Sequence, residues 1–203
     1  YNALNLTNYI NECLMFAGHT AVFFTVNSPN AKVMGSCTTQ NKHIIEGGKI
    51  NCQFVDIDAP KDIRYDKDEL NSWKLSTKER IISFELKPSI IVETKNGFHV
   101  YWLLENGEHL LFKQIQMQLI KYFDADEQCK NEARLLRLPF FQHRKDIDDP
   151  YEVKVRLLET KRRYTQEEIK SWLPPELEGE VQSELSNYER GNESYTLSGD
   201  KRE

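Results

Sequence analysis

Two aspartates one residue apart, Asp56 and Asp58, sit in the otherwise apolar run Phe54-Val55-Asp56-Ile57-Asp58. Alternate residues of a β-strand point to one side, so both carboxylates share a face while Val55 and Ile57 enter the core. Burying an acidic pair is costly unless a cation or hydrogen bonds compensate it. Paired carboxylate oxygens at this reach suit Mg²⁺ or Mn²⁺. The competing reading is a strand-end pair that makes local hydrogen bonds ahead of the turn at Ala59-Pro60.

His99 opens the run His99-Val100-Tyr101-Trp102, directly after Lys95-Asn96-Gly97-Phe98. A histidine at a hairpin mouth can donate a hydrogen bond to an anion, and Lys95 would add positive charge. The same residues could equally be a satisfied, partly buried histidine and a solvated turn lysine. A third group follows the helix-like segment 108–122: Asp124 and Asp126, then Arg134, Arg137 and the cluster His143-Arg144-Lys145. Arginine's planar fork suits phosphate, although surface ion pairs would also account for it. If 134–138 is extended, Arg134 and Arg137 point to opposite faces and one of them enters a cleft. Carboxylates, a histidine and a basic stretch together equip a protein for two-metal phosphoryl transfer. A nuclease would need the same parts.

These groups have to be positioned by a fold. Apolar and turn patterns predict a helix at 8–17 and strands at 21–26, 50–58, 88–94, 99–104, 134–138 and 151–158. The Asn96-Gly97 pair marks a tight hairpin between two of them. Helices are expected at 68–86, interrupted near Ser76-Thr77, and at 108–122 with Leu111, Ile115, Leu119 and Tyr122 along one side. A further short helix starts at Thr165, with Glu168 completing a capping box and Pro174-Pro175 ending it. Helices interleaved with strands and one hairpin indicate an α/β (α+β) domain with a mixed sheet.

The chain of 203 residues, with 39% hydrophobic and 11% aromatic residues, can bury a full core. Its formal net charge of −5 does not advertise nucleic-acid binding, but a cleft's potential depends on how charge is distributed. Basic residues concentrate between 134 and 163 and acidic ones in the last thirty residues. No apolar run approaches a membrane span and no signal segment is visible. Cys13, Cys37, Cys52 and Cys129 form no C-x-x-C pair. They are expected to be free thiols in a reducing compartment rather than a zinc set with His43.

Taken in order, the motifs resemble those of the archaeo-eukaryotic primase superfamily, in particular the primase-polymerases of phages and plasmids. Asp56-Ile57-Asp58 resembles its first motif, and Gly97-Phe98-His99-Val100-Tyr101-Trp102 its second. Asp126, with Arg134 eight residues on and Arg137 three further, resembles its third. The run Arg134-Leu135-Leu136-Arg137-Leu138-Pro139 departs from the family at Phe140, where a glycine is common, and Lys95-Asn96 replaces a small-residue turn. The resemblance spans about residues 20–173. It implies a compact catalytic core (1–175) built on an RRM-like sheet, followed by an acidic linker or the start of a helical segment (176–203). It further implies template-directed nucleotidyl transfer on single-stranded DNA, making primers and extending them. Asp56, Asp58 and Asp126 would hold two divalent ions, Mg²⁺ or Mn²⁺. His99 would contact the incoming triphosphate, with Lys95, Arg134, Arg137, His143 and Lys145 as further nucleotide-binding residues. Partners would be the single-stranded DNA template, ribo- or deoxynucleoside triphosphates and a C-terminal helicase domain, in the cytoplasm of a host cell and with no membrane. A relaxase-like replication initiator is the rival enzyme; that class needs a tyrosine beside a metal-binding histidine cluster, whereas here His99 stands alone and Tyr101, facing the same side, has no H-x-H partner. A non-catalytic nucleic-acid-binding module would leave the acidic pair without a purpose.

Overall fold

The computed structural model describes residues 21–29, 43–143, 146 and 148–185. The helix expected at 8–17, Cys13, Cys37, Arg144, Lys145 and the tail from 186 lie outside them.

The acidic run forms the long strand β2 (Ile50–Asp58), and the two runs around Asn96-Gly97 form β3 (Ile90–Glu93) and β4 (Gly97–Gly107). With β8 (Lys154–Leu158) they build a four-stranded sheet in the order β2-β4-β3-β8. Each pairing is antiparallel. β2 and β3 both oppose β4, so they run parallel to each other and are joined by the helix α1 (Lys67–Ser83), a split β-α-β unit. The α/β (α+β) class holds. Within the sheet the strands are antiparallel, and among the described residues direct parallel contact is confined to the bridge Leu104–Tyr164.

The expected hairpin is present: the Thr94 amide donates to the Gly97 carbonyl (2.9 Å) and the Gly97 amide to Thr94 Oγ1 (3.0 Å). Gly97 is required by crowding, since a Cβ there would lie 1.9 Å from the Ile57 carbonyl oxygen.

α1 is continuous, without the interruption expected at Ser76-Thr77. Asp66 caps it, accepting from the Asp68 and Glu69 amides. Its buried residues are only Lys74, Thr77 and Ile81. Instead of an apolar stripe, polar anchors hold it: Lys74 Nζ donates to the Thr94 carbonyl (2.8 Å) and Arg80 Nη2 to the Phe123 carbonyl (2.8 Å). Helix α2 (His109–Phe123) buries Phe112, Ile115, Leu119 and Phe123. The buried face is thus turned slightly from the expected line, leaving Tyr122 38% exposed. Trp102 of β4 fills the centre of the core, its ring centroid 5.9 Å from Phe84 and 5.5 Å from Phe123.

Two short ribbons complete the frame around the sheet. β1 (Phe23–Thr25) pairs with β5 (Leu135–Arg137), and the β1 residue Phe24 packs 6.4 Å from Tyr101 of β4. β6 (Gln142–His143) pairs with β7 (Tyr151–Glu152). The strand expected at 151–158 is therefore split at Val153, since β7 and β8 pair with different partners. Thr165 and Glu168 form the expected capping box of α3 (Gln166–Ser171). Residues 175–185 are again helical, with Pro175 in the first turn, where a missing N–H is tolerated. That segment buries Val181 and pairs Glu180 and Glu184 with Lys121 of α2. Among the described residues no helix is long and apolar enough to cross a membrane.

Candidate active site

β2 is an edge strand, and an open edge exposes unpaired backbone groups. Side chains and one loop close it. Asn27 Oδ1 accepts from the amides of Asn51 (2.7 Å) and Cys52 (3.2 Å). The Gln116 side chain of α2 accepts from the Phe54 amide and donates to the Phe54 carbonyl. At the next outward position the Asp126 amide donates to the Asp56 carbonyl (2.9 Å). That bond ties the third motif to the first.

The result is a cleft of about 250 Å³ lined by Asp56, Asp58, His99, Asp126, Arg134, Arg137 and His143, together with Arg64 and Phe23. Both arginines reach it. The alternation expected across 134–138 fails because Arg134 precedes β5 and turns back to Asp126, its Nη2 donating to Oδ2 at 3.0 Å. Asp124 instead occupies the left-handed C-cap of α2 and lines a separate pocket beside α1. Lys95 does not line the cleft. Its ammonium donates to the Asp149 carbonyl (2.7 Å) and pairs with the Asp149 carboxylate (2.9 Å), securing the hairpin to the loop before β7.

Asp56, Asp126 and Cys129 each bring a ligand atom within 4.8 Å of the others, a group able to hold a metal ion. Asp58 lines the same cleft but stands outside this cluster, more exposed at the strand end with Arg64 Nη2 3.4 Å from Oδ2. The Asp56 side chain is 17% exposed, and its Oδ1 has no hydrogen-bond partner among the described residues; His99 Nε2 stands 3.6 Å away. Burial, reinforced by the charges of Asp58 and Asp126, pushes the Asp56 carboxyl up to about 7, against the opposing pull of Arg134 and Arg137. A divalent cation would relieve both the desolvation and the repulsion, so the donor set fits such an ion.

His99 is buried opposite Asp56 in the sheet register. Burial, then the positive charges of Arg137 and Arg134, hold its pKa down to about 3, so the ring is neutral at physiological pH. The Tyr101 hydroxyl lies 3.4 Å from Nδ1. With that hydroxyl donating, the ring proton sits on Nε2, beside Asp56. Arg137 stacks on Phe23, its guanidinium carbon 4.8 Å from the ring centroid. Its Nη1 and the Nε of Arg134 are buried without hydrogen-bond partners among the described residues. A cleft with a cation-seeking carboxylate on one wall and two undersatisfied guanidinium groups on the other suits a metal-bound polyphosphate.

The sequence matches the family model of the RepB DNA-primase N-terminal domain over residues 40–174. The chain belongs to that family. No curated protein sequence matches it. Among solved structures, the primase-polymerase AEP domain of cyanophage S-2L is 15% identical, with a TM-score of 0.45, covering 83% of this chain and 98% of that one. The catalytic domain of the primase RepB′, solved with initiator DNA, is 18% identical, with a TM-score of 0.42, covering 90% of this chain and 96% of that one. The family match spans all three motifs and the helix α3, so the acidic cluster, His99 and both cleft arginines of this RepB-type domain lie inside it.

Sequence reasoning passed over Arg64, Cys129 and Phe23. Arg64 stands in a charged loop with no pattern to single it out, yet its Nε donates to the Ala59 carbonyl (2.6 Å), directing the guanidinium toward Asp58. Cys129 reads as one more free thiol until the 3-10 turn Glu127–Lys130, capped by Asp126, brings it against Asp56. Phe23 enters only through its pairing with Arg137.

Proposed function

We propose that this domain synthesises primers by template-directed nucleotidyl transfer on single-stranded DNA, using ribo- or deoxynucleoside triphosphates, and extends them by the same chemistry. The observation carrying this reading is the buried Asp56 carboxylate oxygen without a hydrogen-bond partner among the described residues, set beside Asp126 and facing Arg134 and Arg137 across one cleft. Family membership supplies the reaction class: DNA primases join nucleotides, so the cleft's cation and anion subsites would be occupied by metal and triphosphate.

Asp56 and Asp126, with Asp58 at the rim, would hold Mg²⁺ or Mn²⁺, two ions in all; when bound, these supply charge neutralisation at the triphosphate and lower the pKa of the attacking hydroxyl. Neutral His99 donates an Nε2–H hydrogen bond to a phosphate oxygen and keeps its proton during turnover. Arg134 and Arg137 bind non-bridging oxygens and stabilise charge as the bond to the leaving pyrophosphate lengthens. Arg134 is positioned by Asp126, so one residue serves the cation side and orients the anion side.

Tyr101 argues against a relaxase-like reaction. It is buried, and its hydroxyl faces His99 rather than solvent, which leaves it no path to a DNA phosphate.

The direct test supplies circular single-stranded DNA, labelled nucleotides and Mg²⁺ or Mn²⁺, and resolves the products by length. Short labelled products that require template and divalent ion are expected. Template nicking or covalent protein–DNA adducts in their place would overturn the reading.

A further inference from the structure

The turn joining β5 to β6 contains one residue that neither its backbone nor its packing explains. Phe140 follows Pro139 and adopts φ 70°, in the left-handed region where glycine is at ease and a bulky side chain is strained. The conformation is locked: the Phe140 amide donates to the Val153 carbonyl (2.8 Å), and the Val153 amide to the Phe141 carbonyl (3.0 Å). Core packing does not compensate the strain. Phe141 turns inward and is buried, whereas Phe140 is 74% exposed.

Its location gives the exposed ring a use. Arg137 lies three residues before it and His143 three after, and both line the cleft. Next to Arg137 stands a second exposed aromatic, Phe23, with the guanidinium laid on its face. Aromatic rings set beside cations along a cleft rim form the usual platform for single-stranded nucleic acid: each base offers a π-face to an aromatic ring while arginines follow the phosphates. Strain retained at an exposed position points to a partner met on binding.

We propose that Phe140, exposed on the turn between the cleft-lining residues Arg137 and His143, is a stacking residue for an unpaired base of the single-stranded template. This rests on the primase reading only for the identity of the strand, since the platform would accept any single-stranded DNA.

Phe140→Gly separates the two possible roles, because glycine suits φ 70° better than phenylalanine does. If Phe140 is merely tolerated, the substitution leaves DNA binding unchanged. If it stacks a base, the variant folds at least as stably as wild type, by thermal unfolding, and binds a fluorescein-labelled oligothymidylate about ten-fold more weakly by anisotropy, the scale of one stacked base. Phe140→Trp should restore affinity. An oligonucleotide carrying 2-aminopurine should change emission on binding wild type, and less so with Phe140→Gly. Unaltered affinity in Phe140→Gly, failure of tryptophan to restore binding, or no oligonucleotide binding by wild type would each overturn the proposal. Nucleotide incorporation is read separately. Incorporation by wild type with unchanged binding by Phe140→Gly sinks the stacking residue alone. Binding that depends on Phe140 without any incorporation sinks the primase reading alone.

Discussion

Asp56 is the residue on which the cleft's electrostatics turn. Its folded pKa of about 7 lies above the ordinary carboxylate value, so the folded, metal-free protein takes up the proton more readily than the unfolded chain. The resulting stability is complete below about pH 4 and lost as pH rises to about 7, a cost on the order of 4 kcal/mol once Asp56 is ionised. Asp56→Asn removes that cost. In metal-free buffer its melting temperature should exceed that of wild type at pH 8, with the gap closing near pH 5; an equal or lower melting temperature at pH 8 would show that the carboxylate is not strained. On the proposed function, protons and divalent ions would compete for the same oxygens. Nucleotide incorporation at limiting Mn²⁺ should therefore rise with pH through about 7, and the midpoint should move down as Mn²⁺ increases. His99, held neutral, contributes nothing to that profile. His99→Gln should lower the rate about 100-fold while leaving the midpoint in place; a shifted midpoint would assign the titration to the histidine.

The elements carrying these residues differ in how plainly their sequences announce them. β2, the β3–β4 hairpin and the Thr165 helix follow from signals within a few residues: alternation, an Asn-Gly turn and a capping box. α1 does not, because charges on its flanks anchor it and no apolar period shows that the helix continues past Ser76. The closure of the β2 edge is equally hidden. Asn27 and Gln116 are ordinary polar residues until the fold sets them against backbone groups 24 and 62 positions away. In the same way, the family resemblance pairs the first and third motifs, whereas the place of Cys129 beside Asp56 depends on a long-range contact. Two substitutions test the frame. Gly97→Ala forces a Cβ into the Ile57 carbonyl and should cost about 2–4 kcal/mol in urea unfolding, with Asp58 displaced from the cleft; a loss below about 0.5 kcal/mol would mean that the strands can separate there without penalty. Gln116→Leu strips the Phe54 amide and carbonyl of their partner and should cost about 1–3 kcal/mol, read the same way.

At the scale of the whole molecule, a chain of net charge −5 gathers Arg64, Arg134 and Arg137 around its acidic cluster, so the cleft is mixed in sign while the protein overall is acidic. The helical segment 175–185 packs on α2, the helix that closes the β2 edge, through buried Val181 and the Lys121 ion pairs. A chain ending at Pro174 should melt several degrees lower, and an unchanged melting temperature would show that this docking contributes nothing. On the proposed function, Asp56 serves catalysis through the cation it helps to hold, at the expense of metal-free stability. The most direct test is template-dependent incorporation of labelled nucleotide by Asp56→Asn at saturating Mn²⁺, on protein shown by thermal unfolding to be folded. A loss of at least about 100-fold is expected; incorporation within a few-fold of wild type would contradict a cation-holding role for Asp56.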